Sequence, residues 1–153
     1  MTIYDPNRIP AERRIETSRL LPYTPAQVFQ AFCDPAVLAK WWGPTGFTNT
    51  FYEFDFRDGG AWRFTMHSPD GKDFPNESRF LKIVEPSLIV FDHVCAPLFQ
   101  AHLSFAASPA GCFTRWCMIF DDAKLCENVA KFARDANEQN LDRLLAALGE
   151  SGG

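Results

Sequence analysis

Several signals that would declare a function are missing from this chain. No Cys-x-x-Cys pair occurs: the cysteines (Cys33, Cys95, Cys112, Cys117 and Cys126) are five in number and far apart. A disulfide framework or a zinc knuckle needs an even count or a tight pair. The cysteines therefore read as reduced thiols packed like small apolar side chains, with a reactive thiol as the alternative. Basic residues are interspersed with acidic ones and the formal net charge is -4, so the basic stripe that nucleic acid requires is absent. No apolar run approaches the roughly 20 residues that span a bilayer. The N-terminus lacks the basic, apolar and small-residue succession of a signal peptide, so a cytoplasmic location is expected. There is no Gly-x-Ser-x-Gly elbow, and the "DGG" segment lacks the spacing and the following helix of a phosphate loop. Neither a cofactor nor a metal is implied.

Aromatic residues are plentiful instead. Fifteen Phe, four Trp and three Tyr stand among 153 residues, enough rings to fill a thick core or to line a cavity. The chain length suits one domain. Residues 1–12, with Pro6 and Pro10, read as an arm, 13–149 as the domain and 150–153 as a tail.

Within the domain, Ile15, Thr17 and Leu21 sit at odd positions of a segment from Arg13 to Leu21, which predicts a strand. Thr24, Pro25 and Gln27 then form a Thr-x-x-Gln capping box for a short helix with Val28, Phe29 and Phe32 on its apolar face. Asp34-Pro35 starts a second short helix carrying Val37, Leu38 and Trp41, and Gly43-Pro44 ends it. From Phe47 onward the pattern alternates. Tyr52, Phe54 and Phe56 are expected on one face, followed by a Gly59-Gly60 turn, then Trp62, Phe64 and Met66, and a Pro-Asp-Gly turn. Further strands are expected near Glu77–Val84, Leu88–Val94, Ala101–Ala106 and Cys112–Phe120. A last helix, Asp122 to Leu148, carries an apolar stripe of Val129, Phe132, Ala133, Ala136, Leu141, Leu144, Leu145 and Leu148, with Gly149 as its stop.

The order strand, two short helices, six antiparallel strands and long helix makes the fold class α+β, with the helix packed on a curved sheet. Three segments, "DPAVLAKWWGPTGFTNT", "DFRDGGAWRFTMHSPDGKDFPN" and "KIVEPSLIVF", occur in this order. With that order of elements, the chain from Arg13 to Leu148 resembles the activator of heat-shock protein 90 ATPase homologue-like branch of the START and birch-pollen-allergen superfamily. The resemblance implies a helix-grip fold and an apolar ligand, such as a lipid, sterol or polyketide, between sheet and helix. Some superfamily relatives are cyclases or aromatases. Eukaryotic activators bind the chaperone with an additional N-terminal domain.

Candidate residues for such a site are Tyr52, Phe54, Trp62, Phe64, Met66, Phe80, Phe91, Leu103, Phe105, Trp116 and Met118 on strands, and Phe132 and Ala136 on the helix. The same residues would equally build a solid core. Asn137 and Asn140, at the edge of the helical stripe, could bond a ligand's polar end or meet solvent. Trp41 is expected in the core, and Trp42, about 100° further round, over the cavity mouth. Should residues 95–100 close a hairpin, His93 and His102 would face each other across two strands and could share a metal. Two separate imidazoles are the plainer alternative. Glu53 and Asp55 read as a surface ladder paired with Arg57 and Arg63. The functional expectation is a protein that binds a small apolar or aromatic molecule. The alternatives are a chaperone ATPase co-factor or protein-interaction module, and a cyclase-like enzyme. A homodimer is the expected assembly if the chain associates.

Overall fold

The computed structural model describes residues 2–151. Two 3-10 turns, Pro6–Arg8 and Ala11–Arg13, lead into β1 (Arg14–Leu21), α1 (Pro25–Cys33) and α2 (Pro35–Trp41). Then follow β2 (Thr48–Phe54), β3 (Ala61–His67), β4 (Asp73–Val84), β5 (Leu88–His93), β6 (Phe99–Ser108), β7 (Gly111–Ile119) and α3 (Ala123–Ser151). The seven strands form one antiparallel sheet in the order β1-β7-β6-β5-β4-β3-β2, a meander with its first strand added beside the last. This is an α+β helix-grip fold.

The local signals act as their chemistry requires. Thr24 and Gln27 make a reciprocal capping box, Pro25 opens α1, and Asp34 caps α2 through the Ala36 amide. Asp122 caps α3 by accepting from the Lys124 amide at 2.9 Å. The helix passes through Gly149 and continues to Ser151, so Gly149 does not stop it; residues 150 and 151 of the expected tail belong to the helix, and 152–153 lie outside the described residues.

Simple alternation breaks in β2. A bulge between Phe51 and Glu53 inserts an extra residue opposite β3, which reverses the phase of everything before it. Phe51 therefore turns inward against Trp62 and Phe64. Tyr52 turns outward instead, 60% exposed, with its hydroxyl donating to Thr65 on the convex face.

Helix α3, about 43 Å long at 1.5 Å per residue, packs against β1, α1 and α2. Arg19 on β1 holds it through Glu138 at 2.8 Å and Asp142. Beneath α1 and α2 the concave face is solid, with Phe29, Phe32, Trp41, Phe80, Leu103 and Phe105 buried together. Leaning toward β1, α3 leaves the concave faces of β3, β4 and β5 uncovered near its N-terminal half.

Candidate functional site: a pocket between the sheet and the long helix

The uncovered strip is a pocket of about 370 Å³. Alternation along each strand decides which side chains enter it. Trp62, Phe64 and Met66 come from β3, Phe74, Asn76 and Ser78 from β4, Phe91 and His93 from β5, and Trp116 and Met118 from β7. The helix contributes Val129, Phe132, Ala133, Ala136, Asn137 and Asn140, one flank in consecutive turns. Phe99, Pro97 and the Trp42–Phe47 loop complete the wall. The lining contains no Asp, Glu, Lys or Arg.

Of the residues expected at the site, Trp42, Trp62, Phe64, Met66, Phe91, Trp116, Met118, Phe132, Ala136, Asn137 and Asn140 meet at this pocket. The other five lie elsewhere. Tyr52 is on the convex face, displaced by the bulge. Phe54, Phe80 and Leu103 lie in the tightly packed region with Phe32 and Leu38, and Phe105 packs on Phe32 with centroids 5.3 Å apart. Burial under the short helices, rather than any change of face, separates these four from the open space. Asn76 and Ser78 were not anticipated, and His93 was expected only as half of a metal pair. Counting back by twos from Phe80 along β4 reaches Ser78, Asn76 and Phe74, so the alternation carried that signal.

Trp42 does not cover the mouth. It is 8% exposed, stacks on Trp116 with centroids 5.3 Å apart, and meets Trp62 at 5.1 Å and Trp41 at 5.7 Å. It is the inner end wall, dividing the pocket from the solid interior. Trp41 lies behind it, its indole donating to the Ala31 carbonyl at 3.1 Å. The outer rim is made instead by Phe132, 65% exposed, and Phe74, 45% exposed. Phe132 belongs to the helical stripe by sequence, but at its level α3 faces the opening and not the sheet.

The loop that carries Trp42 is held with unusual density. Arg143 on α3 donates to the carbonyls of Gly43, Pro44, Lys40 and Phe47 at 2.8–2.9 Å and to that of Trp42 at 3.4 Å. Burial lowers its pKa. Asn140 donates to the Trp41 carbonyl at 2.9 Å, and Asn137 to the Met118 sulfur at 3.4 Å. Gly43 adopts φ +103°, a conformation open to glycine but strained for other residues, at this turn beside the pocket.

Polar character in the wall is confined to a few groups. The indole nitrogens of Trp62 and Trp116 do not add to it, since both are buried away from the open space and have no hydrogen-bond partner. His93 Nδ1 donates to the Pro97 carbonyl at 2.7 Å, and its Nε2 lies 2.7 Å from Asn76 Oδ1. Burial pushes the His93 pKa down, which favours the neutral ring.

The two-histidine arrangement does not form. In the β5–β6 register His93 faces Phe99, and His102 faces Val90. The histidines thus lie on opposite sides of the sheet, with His93 concave and His102 convex. Among the described residues no cluster of three or more His, Cys, Asp or Glu side chains is placed to hold a metal. Glu53 and Asp55 join surface pairs, Arg63 with Glu53 at 3.5 Å and Arg57 with Asp55 at 2.8 Å. A Thr50–His67–Asp73 chain with 2.7 Å links also crosses the convex face, away from the pocket.

A seven-stranded sheet gripping one long helix, with its open space between them, defines the helix-grip class. A family model described as Activator of Hsp90 ATPase homolog 1-like protein matches residues 22–149, and the chain belongs to that family. Solved structures of similar shape include protein NE0264 from Nitrosomonas europaea, with 18% identity, TM-score 0.85, and 94% of this chain and 98% of that one covered. Protein CV1439 from Chromobacterium violaceum has 25% identity and TM-score 0.76 over 87% and 95% of the two chains. An AHSA1-like protein from Aeromonas hydrophila has 18% identity and TM-score 0.73 over 91% and 94%. No curated protein matches. No helix among the described residues is long and apolar enough to cross a membrane.

Proposed function

We propose that this protein binds one small, mainly aromatic molecule in the pocket between the concave sheet and α3. The observation that carries the reading is the pocket itself, about 370 Å³, walled by aromatic, Met and Ala side chains and free of charged lining. That size and lining suit an uncharged organic ligand. Flat uncharged ring systems such as flavonoids suit these aromatic walls better than a saturated acyl chain.

Titration of fatty acids, flavonoids and ANS against the intact protein tests this, with tryptophan emission as the signal, since Trp42, Trp62 and Trp116 line the pocket. Saturable one-to-one quenching by the ring compounds supports the reading, and its absence for every compound contradicts it. The exposed Phe132 and Phe74 at the rim favour, as a second reading, a contact surface for another protein, which a chaperone ATPase assay with and without this protein would reveal.

A further inference from the structure

The environment of the five thiols is unequal. Cys112, Cys117 and Cys126 are buried, and burial raises their pKa values, that of Cys117 to about 11. Cys33 is half-buried, and desolvation raises it as well. Cys95, in the turn after β5, is half-exposed and stands 3.5 Å from His93 Nε2. The Glu77 amide donates to its sulfur at 3.4 Å. A depression of about 220 Å³ opens beside it, lined by Tyr52, Arg63, Thr65, Asn76, Glu77 and Cys95 among others.

The hydrogen bonds assign the roles. A carbonyl only accepts, so the Pro97 contact places the proton of neutral His93 on Nδ1 and leaves Nε2 unprotonated, 2.7 Å from Asn76 Oδ1 and 3.5 Å from the Cys95 sulfur. When Nε2 takes a proton it becomes a donor, and Asn76 Oδ1, 2.7 Å away, is there to accept. The Glu77 amide meanwhile faces the sulfur that has become negative. A base, a group that steadies its charged form and a donor to the thiolate are the components of an activated cysteine.

We propose that Cys95, with His93 as its base, is a nucleophilic modification site for uncharged α,β-unsaturated carbonyl compounds. The thiol proton passes to His93 Nε2 while the sulfur forms a bond to the β-carbon. The C=C π pair moves toward the carbonyl as an enolate, whose α-carbon then takes the proton back from His93. There is no leaving group and no change of oxidation state requiring another reagent. An uncharged electrophile is specified because Arg63 in the depression is already met by Glu53 and Glu77 at 3.5 and 3.6 Å, leaving no free positive charge for an anionic one. The site stands apart from pocket binding, although Asn76 and Phe64 border both and His93 lines the larger pocket.

The test is timed labelling of the intact protein with N-ethylmaleimide at neutral pH, each cysteine followed by peptide mass spectrometry. Cys95 is expected to label first, at least about tenfold faster than glutathione under the same conditions. In His93→Gln the Cys95 rate falls by about tenfold or more, while the Cys33 rate is unchanged and Cys112, Cys117 and Cys126 stay unlabelled, which reports an intact fold. Labelling of Cys33 ahead of Cys95, a Cys95 rate no greater than that of glutathione, or an unchanged Cys95 rate in folded His93→Gln would each overturn the proposal. The wild-type comparison decides the matter even if the variant unfolds.

Discussion

Trp42 stacks on Trp116, their ring centroids 5.3 Å apart and their planes inclined by 27°. The pair joins the α2–β2 corner to β7 and separates the solid half of the interior from the open half. Trp42 thus sits where packing ends and the pocket begins.

From that position follows a stability prediction. Replacing Trp42 with Ala removes ring contacts to Trp41, Trp62 and Trp116 and leaves a void continuous with the pocket. A loss of about 3–5 kcal/mol is expected, read as a lower urea midpoint. A loss below about 1 kcal/mol would place Trp42 at the mouth, where the sequence alone had suggested it.

Arg143 makes the second prediction. The Nη groups of its guanidinium donate to the carbonyls of Lys40, Gly43, Pro44 and Phe47, while the Trp42 carbonyl is also met by Asn49, and removing Arg143 leaves half-buried acceptors unmet. Arg143→Ala is expected to cost on the order of 3 kcal/mol. Arg143→Lys should recover only part, because one ammonium cannot span the same fan of acceptors. Equal stability of Lys and Arg forms would show that charge, and not the fork, holds the loop.

Acid should weaken the fold through His102. Burial first, and the nearby Arg115 second, lower its pKa from 6.5 to about 4, and its Nε2 bonds the Gln100 side chain. The unfolded chain takes up the proton near pH 6.5, whereas the folded chain resists until about 4. Stability is therefore fully present above about pH 6.5 and falls as pH drops toward 4. His93, lowered by burial too, acts in the same direction. Urea midpoints for wild type and His102→Gln, compared from pH 7.5 to 4, test this. The difference between them should change only below about pH 6.5, and a constant difference would contradict it.

Much of this fold was legible in the sequence, because its signals are local. The Thr24 box, the Asp34-Pro35 start and the Gly43-Pro44 stop each act within one turn of chain, and all seven strands could be placed from the sequence pattern. The failures have a different origin. The bulge at Phe51/Glu53 breaks the period of two without any Gly or Pro to mark it, so Tyr52 was assigned to the wrong face. The His93–His102 register depended on the loop between β5 and β6, whose conformation the sequence does not specify. Whether an inward ring such as Phe80 or Phe91 meets packing or open space depends on where α3 lies across the sheet. The apolar stripe states that the helix packs, but not which strands it covers. The Cys95–His93 pair was two residues apart in the sequence, yet only the turn after β5 brings the thiol back to the ring.

The central claim is that the space beneath α3 is a binding pocket, and Ala136 provides the most direct test. It lines the pocket from the helix and is half-buried, so Ala136→Phe fills the space while leaving the Trp42–Trp116 wall and the Arg143 staple intact. The decisive measurement is calorimetric titration of wild type and Ala136→Phe with the ring compound that quenches tryptophan emission best. The account predicts one site per chain in the wild type and at least about a tenfold weaker affinity, roughly 1.4 kcal/mol, in a variant whose urea midpoint is no lower. Equal affinity in the two proteins would place the ligand elsewhere and contradict the account.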